Sequence, residues 1–229
     1  MKKLVAWLGG GVFVGSLALL AWWYFGLLGR AGSGSGVRAL IADAALILLF
    51  AGHHSVFARD AVKRRLAFIP ADMLTSFYVW VASLLLVAVP LFWMPIGGDF
   101  YRIRGALSYV FVAVQLAGLW ISSRAVAGLD ALELAGIRQV IGSRGQPRSR
   151  ALQVTGPYRY VRHPLYLGWV LMFFGASAMT VDRFAFASLT TLYLAVAVPW
   201  EERALMQSYG ADYARYSERV RWRMVPYVY

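Results

Sequence analysis

The sequence predicts an all-α, polytopic membrane bundle. Three observations carry that prediction. Of 229 residues, 60% are hydrophobic and only 15% are charged, against about a quarter charged in an ordinary soluble domain. The mean hydropathy is +0.58. The charges gather in short clusters between long uncharged runs, as they do in multi-span proteins. The length suits one membrane domain with about five spans, at roughly 20 residues per span, and leaves little for a soluble domain.

The net charge of +12 sits in short loops beside the apolar runs. Such a pattern fits positive-inside topology and contact with anionic membrane lipids, and argues against nucleic acid as a partner. There is no cysteine, so disulfides, thiolate metal ligands and a cysteine nucleophile are excluded.

Taken in order, Met1-Lys2-Lys3 precedes an uncharged run from Leu4 to Gly29. That run exceeds the 7–15 residues of a signal-peptide core, so it reads as a first span with Trp22, Trp23 and Tyr24 at its interface. Residues 31–36 form a Gly/Ser loop. Leu40 to Ala58 is the second span; it carries Asp43 and ends in His53-His54-Ser55 before a basic turn with Arg59, Lys63, Arg64 and Arg65. Met73 to Met94 and Gly105 to Ile121 are the third and fourth.

The long polar stretch Ser122 to His163 follows, rich in arginine. Leu165 to Val198 is apolar and longer than one span; Asp182-Arg183 divides it into a helical hairpin with a polar tip. Trp200 to Tyr229 is charged and aromatic, and predicts one or two amphipathic helices on the membrane surface. The heavily basic segments alternate with lightly basic loops, which places the N-terminus, residues 156–168 and the tail on the cytoplasmic face. The chain accordingly reads as N-terminal transmembrane helices over 1–123 and a functional core over 124–229.

Three groups of residues carry possible chemistry. The first is Gly156-Pro-Tyr158-Arg159-Tyr-Val-Arg162-His163-Pro164-Leu-Tyr166-Leu-Gly168. Pro164 suits the first position of a helix, whose free N–H groups with Arg159 and Arg162 would attract a carboxylate. The tyrosine faces would attract a positive centre. S-adenosylmethionine has both features, although the same residues suit an interfacial anchor.

The second group is Glu201-Glu202 with Tyr209, Tyr213 and Tyr216 on one helical face. Carboxylates at the end of an apolar run are costly. One suits ribose hydroxyls and the other an arginine of the 156–168 stretch; acids opening an interfacial helix would look alike. The third is His53-His54 with Arg59, a base or substrate-orienting group, or merely hydrogen-bonded interfacial histidines. Neighbouring histidines point to different sides of a helix, and only His163 remains, so no metal site is expected.

The order and spacing of Gly156–Pro164 with Tyr166 and Gly168, then Glu201-Glu202, then Tyr209-Gly210-x-x-Tyr213-x-x-Tyr216-x-x-x-Val220, resembles the isoprenylcysteine carboxyl methyltransferase and phospholipid methyltransferase superfamily. Within it the chain is most similar to the bacterial methanethiol S-methyltransferase group, on His54-Ser55-x-x-Ala58-Arg59-x-x-x-Lys63 and Met179-Thr180. It departs from that group at Met73–Ser76 and at Arg221–Pro226.

The resemblance implies a multi-pass methyltransferase of the bacterial inner membrane, with S-adenosylmethionine held on the cytoplasmic side. Carried over by position, Tyr158, Arg159, His163, Pro164, Tyr166, Gly168, Glu201 and Glu202 would bind it, and no metal is implied. His54 and Arg59 are the candidate catalytic pair. The acceptor would be a small thiol or a lipid-like molecule such as a prenylcysteine carboxylate or a phospholipid amine. A transporter or lipid-binding scaffold is the reading of another class, but no internal repeat supports it. A nicotinamide-dependent reductase would need a Gly-rich phosphate-gripping motif, and none is present.

Overall fold

The computed structural model describes residues 1–30, 32–57, 62, 65, 66, 68–127, 129–142 and 151–229. In chain order its helices are α1 (Lys2–Trp22), α2 (Val37–Phe57), α3 (Leu74–Phe92), α4 (Leu107–Val126), α5 (Ala131–Leu134), α6 (Arg138–Ile141), α7 (Pro164–Phe174), α8 (Val181–Tyr209) and α9 (Ala211–Arg219). A π-helical turn, Trp23–Leu27, extends α1. Two short strands, β1 (Asp99–Arg102) and β2 (Ala178–Thr180), pair antiparallel with Tyr101 opposite Met179.

Among the described residues, five helices are long and apolar enough to cross a membrane: α1 with its π turn, α2, α3, α4 and α8. Their outward residues are apolar. Leu48, Leu49, Leu84, Leu91, Leu116, Leu119, Trp120, Leu192 and Val196 are all exposed, an arrangement made for hydrocarbon rather than water. The buried positions include small or polar groups beside apolar ones, among them Ser16, Asp43, Ser76 and Ser83. In membranes such residues let backbones approach and exchange hydrogen bonds between helices.

The chain forms two compact units, Met1–Gly98 with Leu129–Gln146, and Asp99–Gly128 with Pro147–Tyr229. In the first, α1 and α2 pack against α3, and α6 also meets α1. Trp80 on α3 donates its indole N–H to the Val5 carbonyl, 3.0 Å away. Asp43, fully buried on α2, accepts the backbone N–H of Met94 just past the end of α3, at 2.9 Å. That acceptor meets a donor the helix itself no longer uses.

In the second unit α4 lies against α7 through glycines. A Cβ on Gly168 would stand 2.6 Å from the Gly118 carbonyl and 2.9 Å from the Ser122 amide. Only hydrogen at position 168 permits that crossing, and Gln115 adds a side-chain bond of 3.0 Å to the Met172 carbonyl.

The hairpin differs from its sequence expectation. Its first arm, α7, has 11 residues, which reach about 16 Å at 1.5 Å per residue, roughly half the hydrocarbon thickness. Its second arm, α8, has 29 residues. The turn lies at Gly175–Thr180, where β2 pairs with β1, and Asp182-Arg183 belong to the first turn of α8. Thr180 caps that helix, its hydroxyl accepting the Arg183 amide at 3.1 Å. Asp182 favours the same helix end through the dipole, and buried Arg183 donates to the Ala178 carbonyl at 2.7 Å.

At its other end α8 runs through Pro199 and on to Tyr209, so Trp200 opens no new helix. Proline removes an N–H and leaves the carbonyl four residues back without its helical partner. That carbonyl belongs to Ala195, and the Tyr229 hydroxyl donates to it at 3.0 Å.

Candidate active site

Gly210, at φ +52, ends α8 and turns the chain into α9. The three tyrosines therefore sit on two helices rather than one continuous face. Tyr213 and Tyr216 are buried and pack with Tyr158, Tyr209, Leu205 and Val220. They line protein, not the lipid interface. Tyr216 donates to the Tyr158 carbonyl at 2.8 Å, and Tyr158 donates to the Ala125 carbonyl of α4 at 3.3 Å. Burial first, and then nearby Tyr158, raises the Tyr216 phenol's pKa; burial and then Glu202 do the same for Tyr213.

The expected tie between a Glu201-Glu202 carboxylate and an arginine of the 156–168 stretch is present, and the arginine is Arg162. Its Nε donates to Glu202 Oε1 at 2.6 Å, with both side chains close to 90% buried. Its Nη1 turns to the end of α9, meeting the carbonyls of Ser217 (3.3 Å), Val220 (2.8 Å) and Arg221 (3.2 Å). One guanidinium thus neutralises a carboxylate and caps a helix C-terminus, which its planar fork of donors allows and a lysine would not.

The other oxygen, Glu202 Oε2, takes a bond of 3.1 Å from Arg223 Nε. Arg223 also lies over the Tyr229 ring, 5.2 Å from its centroid. Backbone bonds dock the tail beside the motif: the amides of Arg162 and His163 donate to the carbonyls of Trp222 (2.9 Å) and Arg223 (2.7 Å).

His163 precedes α7 and is buried, with fully buried Pro164 at the first helical position. Its Nδ1 lies 3.3 Å from Glu201 Oε2 and its Nε2 3.5 Å from Glu202 Oε1. Burial alone would lower the imidazole pKa. The two carboxylates together outweigh it, and the pKa stands above its ordinary value. The ring stacks on Tyr166 at 5.4 Å, and the Tyr166 hydroxyl donates to Glu201. The Glu201 side chain remains 40% exposed, so it retains capacity for a ligand.

Of the residues expected from sequence, Tyr158, His163, Pro164, Tyr166, Glu201 and Glu202 are thus carried by adjoining pieces of one unit. Arg159 is exposed and, with Val154, Thr155 and Arg219, bounds a cavity of about 430 Å³. Gly168 faces the α4 crossing. His54 belongs to the first unit; it is exposed and its Nδ1 pairs with the Tyr78 hydroxyl. Arg59 lies outside the described residues.

Sequence reasoning left Arg223 and Tyr229 out of the site, and it set Arg162 to attract a ligand carboxylate where the structure turns it to Glu202. A signal existed for Tyr229: Pro199 inside a helix demands an outside donor for residue 195.

A family profile for phospholipid methyltransferases matches residues 107–212. Methanethiol S-methyltransferase 2 of Bradyrhizobium diazoefficiens is 36% identical over 186 residues, covering 80% of this chain and 72% of the relative. The chain belongs to the phospholipid methyltransferase family.

Two further relatives agree. Methanethiol S-methyltransferase of Crocosphaera subtropica is 35% identical, covering 84% of this chain and 76% of the relative. Its namesake in Mycobacterium tuberculosis is 32% identical, covering 80% and 77%. No solved structure matches the chain. This family member is therefore a multi-pass membrane methyltransferase, which removes the transporter, scaffold and reductase readings. The family profile spans α4 through the start of α9, the same elements that carry the Arg162–Glu202 and Tyr166–Glu201 contacts.

Proposed function

We propose that this methyltransferase uses S-adenosylmethionine to methylate the sulfur of a small thiol such as methanethiol, giving dimethyl sulfide. The observation that carries the reading is similarity over some four-fifths of the chain to relatives named for that activity. S-adenosylmethionine supplies a methyl group on a positive sulfur.

The donor set suits that molecule. Arg159 on its cavity offers a cation for a carboxylate. Glu201, partly exposed, offers acceptors for ribose hydroxyls, and the tyrosine rings offer faces for a positive centre. In this reading Tyr158, Arg159, His163, Pro164, Tyr166, Glu201 and Glu202 hold the donor, within a core formed by residues 124–229. Gly168 serves by bringing α7 against α4. Glu202 with Arg162 and Arg223 keeps the wall rigid, so donor and acceptor meet in line.

Charge disappears when a thiolate meets a positive sulfur, so exclusion of water by the membrane boundary favours the reaction. His54 and Arg59 are proposed to receive the thiol proton or steady the thiolate. The alternation of basic segments supports a cytoplasmic site in a bacterial cell membrane.

The family profile's own substrate class favours a second reading, transfer to a phospholipid amine or a prenylcysteine-like carboxylate. One experiment separates them. Purified protein is incubated with methyl-labelled S-adenosylmethionine and a panel of small thiols, prenylcysteine carboxylates and phosphatidylethanolamine. Label is expected in the thiols; label confined to lipid acceptors selects the second reading, and failure to bind the donor rejects both.

A further inference from the structure

Arg219, the last residue of α9, shares a cavity with Arg159. Val154 and Thr155 also line it, and its volume of about 430 Å³ is in the range of small-molecule sites. All four residues belong to the second unit. Both arginines are exposed, and neither side chain has a hydrogen bond or ion pair among the described residues. The acids of this unit are Asp99, Asp182, Glu201, Glu202, Asp212 and Glu218, and all are described. Asp99 pairs with Arg102 and Asp212 with Arg215, while Arg162 and Arg223 answer Glu202. Glu201 meets Tyr166 and His163. Asp182 begins α8, at the opposite end from Glu201 and Glu202. Glu218 neighbours Arg219 on α9 and is turned about 100° from it.

Two guanidinium groups on one cavity repel each other and favour an anion between them. The structure holds both in place. Tyr216 donates to the Tyr158 carbonyl, which fixes the turn that carries Arg159. Arg162 donates to the carbonyls of Ser217, Val220 and Arg221, which ties the helix end that carries Arg219 to the motif. Thr155 Oγ1 accepts a bond of 3.2 Å from the Gln153 side chain, so its hydroxyl hydrogen is left to donate. Two forks of N–H donors and one hydroxyl match a carboxylate, which only accepts. The cavity also adjoins the rest of the donor wall. Val154 packs on the Tyr213 and Tyr216 cluster. Tyr158, next to Arg159 in the chain, has its phenol pKa raised by burial first and then by Glu201, so it stands within electrostatic reach of that carboxylate.

We propose that Arg219, with Arg159 and Thr155, forms a subsite for the α-carboxylate of S-adenosylmethionine and makes the protein select methyl donors that carry it. The inference rests on the donor reading above and names the residues that read one end of that molecule. Glu201 serves the ribose end. The reactive sulfur lies between the two ends, so gripping both orients the methyl group.

The test compares S-adenosylmethionine with its decarboxylated form, which keeps the ammonium and the sulfonium. Binding of each to the full chain in detergent micelles is measured by isothermal titration calorimetry. The unmodified protein should bind the carboxylated form more tightly by about tenfold or more, because hydrogen bonds between charged groups are strong. Arg219→Gln should reduce the preference to within about threefold, through weaker binding of the carboxylated form alone. Arg219→Lys keeps the charge without the fork and should fall between. Thr155→Val should give a smaller loss of the same kind, and it serves if the arginine variants fail to fold. Arg215→Gln, on the same helix and outside the cavity, should leave the preference intact. Both arginines are exposed, so the preference should shrink as salt is raised.

A full preference retained in Arg219→Gln, or an equal loss in Arg215→Gln, would overturn the proposal. So would a loss in Arg219→Gln confined to phosphatidylglycerol added to the micelles, which assigns the cavity to a lipid phosphate. If the unmodified protein binds neither S-adenosylmethionine nor S-adenosylhomocysteine, the donor reading has failed and this inference with it. If it binds them but takes the decarboxylated donor equally well, only the carboxylate subsite is lost.

Discussion

Glu202 and His53 are both polar side chains carried on membrane-spanning helices, and their surroundings are opposite. Glu202 has each carboxylate oxygen bonded to a different arginine, with His163 close by. His53 has two buried nitrogens and no partner for either among the described residues. A buried ion pair that is fully answered defines a frame, because breaking it strands a charge. A buried group left unanswered is a place where a ligand gains by binding. The comparison separates a bonded framework from a polar group with no bond among the described residues, two situations that look alike as polar residues in an apolar run.

The harshest way to break the comparison is to strand Glu202. Arg162→Met removes one partner of the carboxylate and uncovers three carbonyls at the end of α9. Unfolding free energy in denaturant titrations should drop by about 3–5 kcal/mol. A drop under about 1 kcal/mol would mean that Arg223 alone suffices and that the frame is looser than its geometry.

Tyr229→Phe deletes only the donor to the Ala195 carbonyl, opened by Pro199. It should cost about 1 kcal/mol. Pairing it with Pro199→Ala, which restores the helical N–H, should recover that loss in a double-mutant cycle.

His53→Phe tests the other side by stability. Removing two unpaired nitrogens should leave the unfolding midpoint unchanged or raise it, by up to about 1 kcal/mol in free energy. A clear destabilisation would mean that the imidazole is answered after all.

The smallest effect is a pH dependence at His163. Its pKa is raised on folding, so its stabilisation is complete below the unfolded value of about 6.5 and is lost as pH climbs through the folded pKa. The thermal midpoint should therefore decline on titrating upward from pH 6, with a gentler slope in His163→Gln.

Much of this was legible beforehand. Apolar runs longer than about 18 residues announce spans, because unpaired backbone cannot face hydrocarbon. The carboxylate-to-arginine tie followed from two charges that neither lipid nor apolar core would accept alone. The unequal hairpin arms were not legible. Asp182-Arg183 reads as a polar tip, yet Thr180 capping and the pairing of β2 with β1 place the turn earlier and bury both charges. Nor was the break at Gly210, since Tyr209, Tyr213 and Tyr216 keep helical spacing across it.

By itself, then, the sequence determined that the chain lives in a membrane, which residues its polar groups are, and the family to which their spacing belongs. Those follow from composition and local order, which act along the chain. Only the tertiary structure decided which arginines answer Glu202, which tyrosine repairs the helix at Pro199, and which of two adjacent histidines has no hydrogen-bond partner among the described residues. Each is a pairing between residues separated by about twenty to forty positions. Such a choice rests on packing distances, and a linear pattern carries no record of them.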